Sequence, residues 1–182
     1  FKKKKKKKVR SHHPRVSYPP PPANASALLL GAGAVVSMAN ESSSSEIDDQ
    51  VWSVLAAAVA ANDRDGMAAT YHPDAVLVSG EGTKAVARQL EAWGDGMEKI
   101  RAEGRSASVA FRFSSRQAGA ATAFECGMFR YAETTADGVE EPSFVPFEAL
   151  LVKKDGRWLM VMERQFEAAG RVAWDKMLLG DA

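Results

Sequence analysis

Sulfur chemistry is nearly absent from this chain. Its 182 residues include one cysteine, Cys126, which excludes an internal disulfide and any zinc site built on cysteines. Histidine is almost as scarce. Only His72 lies beyond residue 37, so a histidine-based metal cluster cannot form in the body of the chain and no metal site is expected. No apolar run approaches the roughly 20 residues that a membrane-crossing helix needs, so no membrane partner is expected. Net charge is also small, at +1, but that average hides two unlike parts. Residues 1–37 carry nine positive charges, Lys2 to Lys8 with Arg10 and Arg15, and no acid. Residues 38–182 keep 15 basic against 23 acidic residues, a net of −8. Such a body repels a phosphate backbone, which excludes a nucleic-acid partner.

The basic leader has two readings. A charged start, an apolar run from Ala27 to Val36 and the small residues Ser37-Met38-Ala39 fit a secretory or organelle-targeting segment. Against it, Pro19 to Pro22 part the charges from an apolar run of only about ten residues. Seven consecutive lysines are also what a translated adenine tract gives. The second reading starts the protein at Met38 and places it in the cytoplasm. Residues 1–45 are then a leader, 46–168 one domain and 169–182 a tail.

Within the domain, Ser45 with Asp48 fits a capping box that opens a helix. Ile47, Val51, Val54, Leu55, Ala58 and Val59 mark its buried stripe. Asn62-Asp63 stops it and caps a second helix running to Tyr71, which Pro73 ends. A short strand follows from Asp74 to Ser79. Thr83 can cap a third helix with Val86, Leu90, Trp93, Met97 and Ile100 on one face and Gly104 as its stop. Beyond that the period changes to two. Val109, Phe111 and Phe113 alternate with polar or small residues, and strands follow at 120–134, 143–153 and 157–166. Asp137-Gly138 and Asp155-Gly156 are hairpin signals between them, and Val172 to Leu179 can form a closing helix. Helices first and an antiparallel meander afterwards give an α+β domain, with helices packed on one face of a curved antiparallel sheet.

The run Asn62-Asp63-Arg64-Asp65-Gly66, then Tyr71-His72-Pro73-Asp74-Ala75-Val76-Leu77, resembles the nuclear transport factor 2-like superfamily. So does the closing Asp155-Gly156-Arg157-Trp158-Leu159-Met160-Val161. That superfamily includes ketosteroid isomerases, scytalone dehydratase and SnoaL-like cyclases. The resemblance implies a cone in which the sheet wraps the helices and leaves a pocket at the wide end. It turns Leu159, Val161, Glu163 and Gln165 toward that pocket. It does not carry over ketosteroid isomerase chemistry. The isomerase's tyrosine falls on Leu55, its proton-shuttling aspartate on Ser79 and its second aspartate on Leu150, and none of these can move a carbon-bound proton alone. The histidine pair that ends the last strand in some relatives appears here as Glu163 and Arg164.

Carboxylates are what the strands offer instead. A two-residue turn at Asp155-Gly156 sets Glu148 opposite Glu163. A turn centred on Asp137-Gly138 puts Glu125 on the same face, diagonal to Glu148. Carboxylates about 5 Å apart repel, so one keeps its proton, and such a pair supplies a general acid and a general base. Glu148 and Glu163 are therefore the candidate catalytic pair, with Glu125, Tyr71, Trp93, Ser79 and Val161 as candidate binding residues. Structural ion pairing with Arg112, Arg130 or Arg164 is the competing reading of the same glutamates.

Tyr71 and Trp93 also fit plain core positions, and Cys126 reads as a small buried hydrophobe with no histidine to activate it. Ser79-Gly80-Glu81-Gly82 lacks the lysine of a phosphate-binding loop, and no cofactor is implied. The opposite sheet face carries Phe124, Met128, Phe147, Leu151, Trp158 and Met160 and needs cover. Either a homodimer forms through this outer face, or the closing helix with Trp174 and Leu178 folds back over it. The expected function is a cofactor-independent isomerase, dehydratase or cyclase acting on a small apolar molecule with a carbonyl or hydroxyl. A non-catalytic ligand-binding or dimerisation module is the alternative.

Overall fold

The computed structural model describes residues 42–177, so residues 1–41, on which most of the expected leader falls, and those from Leu178 onward lie outside it. Helix α1 covers residues 42–61, with a π-helical stretch at Asp48–Trp52 running into Ser53–Ala61. The helix thus begins ahead of the capping box expected at Ser45. A π turn adds a residue to the helical repeat and changes which side chains face inward. Ile47, Val51, Trp52, Leu55, Ala58 and Val59 are buried, whereas Val54 is 37% exposed. Trp52, three residues before Leu55 and seven before Val59, belongs to the same buried stripe.

Asn62, at φ 52°, ends α1, and the Asp63 carboxylate caps α2 (Arg64–Ala68) by accepting from the Gly66 amide at 2.9 Å. Tyr71 is not the end of a helix. It opens β1 (Tyr71–Ser79), and Pro73 falls where pairing with the neighbouring strand is interrupted. A short β2 (Gly82–Ala85) stands where Thr83 was expected to cap a helix, and α3 (Val86–Ala102) follows without a side-chain cap. Gly104, at φ 66°, ends α3 as its position suggested.

Four strands complete the fold: β3 (Ser106–Ala118), β4 (Thr122–Thr134), β5 (Glu140–Lys154) and β6 (Arg157–Gln165). The sheet order is β2-β1-β6-β5-β4-β3, antiparallel throughout except where β1 runs parallel to β6. The class is α+β, with helices leading into a curved, unclosed sheet, and the sheet is mixed rather than wholly antiparallel. The main core fills the space between α1, α3 and the inner sheet face.

Two local features move the strand register by one residue each. The β4–β5 loop takes five residues, 135–139, so Glu125 faces Ala149 rather than Leu150. Asp155-Gly156 does make a two-residue turn, and pairing holds from Lys154↔Arg157 to Leu151↔Met160. A bulge at Val161 then shifts the rest, so Ala149 faces Glu163 and Glu148 faces Arg164. An extra residue in one strand reverses the face of every side chain beyond it. Trp158 and Met160 are therefore core residues rather than outer ones, at 1% and 0% exposure, while Glu163 and Gln165 still turn inward.

On the outer face, α4 (Arg171–Lys176) lays Trp174 against Met128 and Phe144. Arg112 holds it there, with its guanidinium 3.9 Å from the indole ring centre and Nη1 donating to the Trp174 carbonyl at 2.6 Å. The fold-back helix thus covers part of this face. Phe124, Val152, Leu159 and Met162 stay half-buried and Leu150 is 38% exposed, so an apolar strip remains.

Candidate active site

Between the helices and the inner sheet face lies a cavity of about 550 Å³, within the range of roughly 300–1,000 Å³ usual for small-molecule sites. Its walls are apolar, with Leu55 and Val59 from α1, Trp93 and Met97 from α3, Phe111 from β3 and Phe129 from β4. The three rings line the space without filling it. Phe111 is held from behind by Trp52 and Phe147, at ring-centre distances of 4.8 and 5.9 Å.

One carboxyl lies buried in that wall. Glu163 is 7% exposed, and each of its oxygens accepts one hydrogen bond. The Tyr71 hydroxyl donates to Oε2 at 2.5 Å and Gln165 Nε2 donates to Oε1 at 2.6 Å. The bulge at Val161 points Glu163 inward, and pairing of Tyr71 with Met160 brings the tyrosine beside it. Burial pushes the Glu163 carboxyl above its ordinary range, against the opposing pull of the two donors. The Tyr71 hydroxyl is pushed well above its own range by burial and by the adjacent carboxylate.

The open end of the cavity is charged. Arg105 pairs with Glu133 and, at 3.0 Å, with Glu103, and the Tyr131 hydroxyl donates to Glu133 at 3.1 Å. Burial and the Glu133 charge raise the Tyr131 hydroxyl to about 12. Lys99 completes this rim, 3.9 Å from Glu103. None of these rim residues was singled out by the sequence reading. Tyr131 and Glu133 alternate with Phe129 along β4 and were legible as one face, whereas the Arg105–Glu133 pairing needed the register.

Several expected site residues fall elsewhere. Glu148 lies on the outer face, half-buried and 3.4 Å from Arg164, so it is not paired with Glu163. Its assignment as the second proton-handling group is corrected by the bulge. Val161 is the bulged residue and does not line the cavity. Ser79 ends β1, where its hydroxyl accepts from the Glu81 amide at 3.2 Å, away from the cavity. Glu125 is inward and wholly buried but faces the far end of the core. It accepts there from Trp52 Nε1 at 2.6 Å and Arg116 Nε at 2.8 Å. Tyr71 and Trp93 are the binding candidates that do line the cavity. Among the described residues, no cluster of three histidine, cysteine or carboxylate side chains could hold a metal ion. None of their helices is long and apolar enough to cross a membrane.

Solved structures with this fold agree on its architecture. An NTF-2-like protein of unknown function from Shewanella oneidensis superposes with a TM-score of 0.56 at 16% identity, covering 68% of this chain and 98% of that one. A Catenulispora acidiphila protein in complex with S-DNPA matches with a TM-score of 0.56 at 16% identity, over 74% and 98% of the two chains. An uncharacterised protein with a cystatin-like fold from Caulobacter vibrioides gives 0.53 at 14% identity, over 74% and 95%. No curated protein matches the chain. The SnoaL-like domain model matches residues 49–178, nearly the whole folded body. The chain therefore belongs to the SnoaL-like family of the nuclear transport factor 2-like superfamily.

Proposed function

We propose that the cavity binds a small apolar molecule bearing a carbonyl or hydroxyl group and that Glu163 moves a proton on it, in an isomerase, dehydratase or cyclase type of reaction. The observation that carries this reading is the buried Glu163 carboxyl facing a cavity whose walls are mainly apolar, with the Tyr71 hydroxyl 2.5 Å away. A carboxyl raised by burial above its ordinary range is a stronger base than a free carboxylate and, once protonated, can return the proton as an acid. With one donor on each oxygen, Glu163 keeps lone pairs free for a proton from the ligand. Once protonated, it can donate to the Tyr71 oxygen and free the tyrosine hydrogen for a ligand oxygen on which charge develops.

A panel of simple carbonyl compounds tests this. Cyclic ketones and enones are incubated with the protein in deuterated water, and exchange of the hydrogens next to the carbonyl is followed by NMR. Wild-type protein accelerates exchange for at least one compound, and Glu163→Gln loses on the order of 10²–10⁴-fold of that rate. Ligand binding without exchange would leave a non-catalytic binding module instead.

We also propose that the remaining apolar strip on the outer sheet face, from Phe124 through Leu150 to Met162, pairs with a second copy of the chain. Light scattering at micromolar concentration should give twice the chain mass. Leu150→Glu, placed where exposure is 38%, should return it to the monomer mass with the fold intact. A monomeric wild type overturns the pairing.

A further inference from the structure

We propose that the molecule taken by this cavity carries a protonated amine, which pairs with Glu163. The proposal rests on the reading of the cavity as a ligand site and narrows what enters it.

The surroundings of Glu163 suit an anion that lacks its cation. Tyr71 on β1 and Gln165 on β6 each donate to one carboxyl oxygen, and the facing residue on β5 is the apolar Ala149. Such a cradle solvates the ionised form. Burial works against that form, and among the described residues no positively charged side chain pairs with it. The cations that line the cavity are Lys99 and Arg105, at its open end, with side chains 74% and 23% exposed. Both are engaged with acids there, Lys99 with Glu103 and Arg105 with Glu103 and Glu133. A cationic ligand supplies what the buried carboxyl is missing and draws it into its ionised state.

Two independent features select the same charge. Trp93, Phe111, Phe129, Tyr71 and Tyr131 present rings to the cavity, and ring faces attract organic cations most strongly where water is excluded. The route inward is negative as well. Glu103, Glu133 and the nearby Glu141 outnumber Lys99 and Arg105 at the rim, and residues 38–182 carry a net −8. That field draws cations toward the site and turns anions away. A neutral ligand fits the apolar walls but leaves Glu163 uncompensated, and an anionic one meets repulsion at the rim and again at the floor.

Three probes of one ring and one length separate these cases: 3-phenylpropylamine, 3-phenylpropan-1-ol and 3-phenylpropanoate. Each is titrated into the full chain at pH 7 by calorimetry, with wild type and Glu163→Gln compared after thermal unfolding shows both folded. The amine is expected to bind at least tenfold more tightly than the alcohol, and the acid more weakly than either. In Glu163→Gln the advantage of the amine over the alcohol should shrink to about twofold or less. Amine affinity should also fall as pH drops toward the ordinary carboxyl range, with proton release seen as a dependence of the heat on buffer. Alcohol binding as tight as amine binding, or an amine preference untouched in Glu163→Gln, overturns the proposal. In that case carbonyl exchange that still depends on Glu163 keeps the proton-transfer reading standing. Amine preference without any exchange sinks that reading and leaves the amine site. Failure of all three probes to bind removes the amine proposal outright.

Discussion

Glu125→Ala should cost the fold about 3–5 kcal/mol, the usual consequence of leaving a buried charged partner unmatched. The carboxylate has no exposed surface and joins two elements far apart in sequence, taking the Trp52 indole hydrogen at 2.6 Å and Arg116 Nε at 2.8 Å. Arg116 also grips Asp48 with both of its terminal nitrogens, at 2.9 and 2.7 Å, and stacks over Phe113 at 4.2 Å. This is the point where the π-helical stretch of α1 is fastened to the sheet. Removing the carboxylate leaves a buried indole N–H without its acceptor and takes the partner from Arg116 Nε, whose terminal nitrogens stay on Asp48. Glu125→Gln keeps an acceptor for Trp52 and should lose only about 1–3 kcal/mol. Urea unfolding at neutral pH reads both values. A loss under about 1 kcal/mol for the alanine variant would show that the network adds nothing to stability. The effect should reach the cavity too. Trp52 packs 4.8 Å from Phe111, and Phe111 lines the site, so a loosened indole loosens one wall.

That network shows where sequence reasoning stopped. Helix stripes, strand alternation and the family resemblance were legible because each depends on local spacing: α3 buries Val86, Leu90, Met97 and Ile100 as its period requires. The site depended on two insertions that spacing does not announce. A five-residue loop at 135–139 and a bulge at Val161 each moved the pairing by one. The first put Glu125 opposite Ala149. The second split the expected carboxylate pair, sending Glu148 to Arg164 outside and Glu163 to Tyr71 inside. Pro73 signals a helix stop without saying how early it comes, so spacing alone carries the second helix on to Tyr71. The helix ends at Ala68, and the freed Tyr71 pairs with β6 beside the carboxyl. Single residues thus decided the chemistry while leaving the fold untouched.

Glu163 should also make the stability of the protein fall as pH rises, in a way that Glu163→Gln removes. Its carboxyl is raised in the folded chain, mainly by burial, above the ordinary value of 4.5 that it regains on unfolding. Below pH 4.5 it is protonated in both states, so its native contacts count in full. Above that, the unfolded chain ionises first, and each pH unit costs the native state about 1.4 kcal/mol until the folded carboxyl also titrates. Beyond the folded value the loss is complete and constant. Other groups titrate alike in wild type and variant, so the difference between their melting temperatures isolates this one. The Gln variant should gain on wild type from about pH 4.5 upward and then hold a steady lead, with the plateau marking where Glu163 ionises inside the cavity. Tyr71→Phe should widen that lead, because the hydroxyl donates to the ionised form at 2.5 Å and its loss raises the carboxyl further. A pH-independent difference would mean that Glu163 titrates as it does in water, and a carboxyl of that kind would be too weak a base to serve the proton transfer proposed for it.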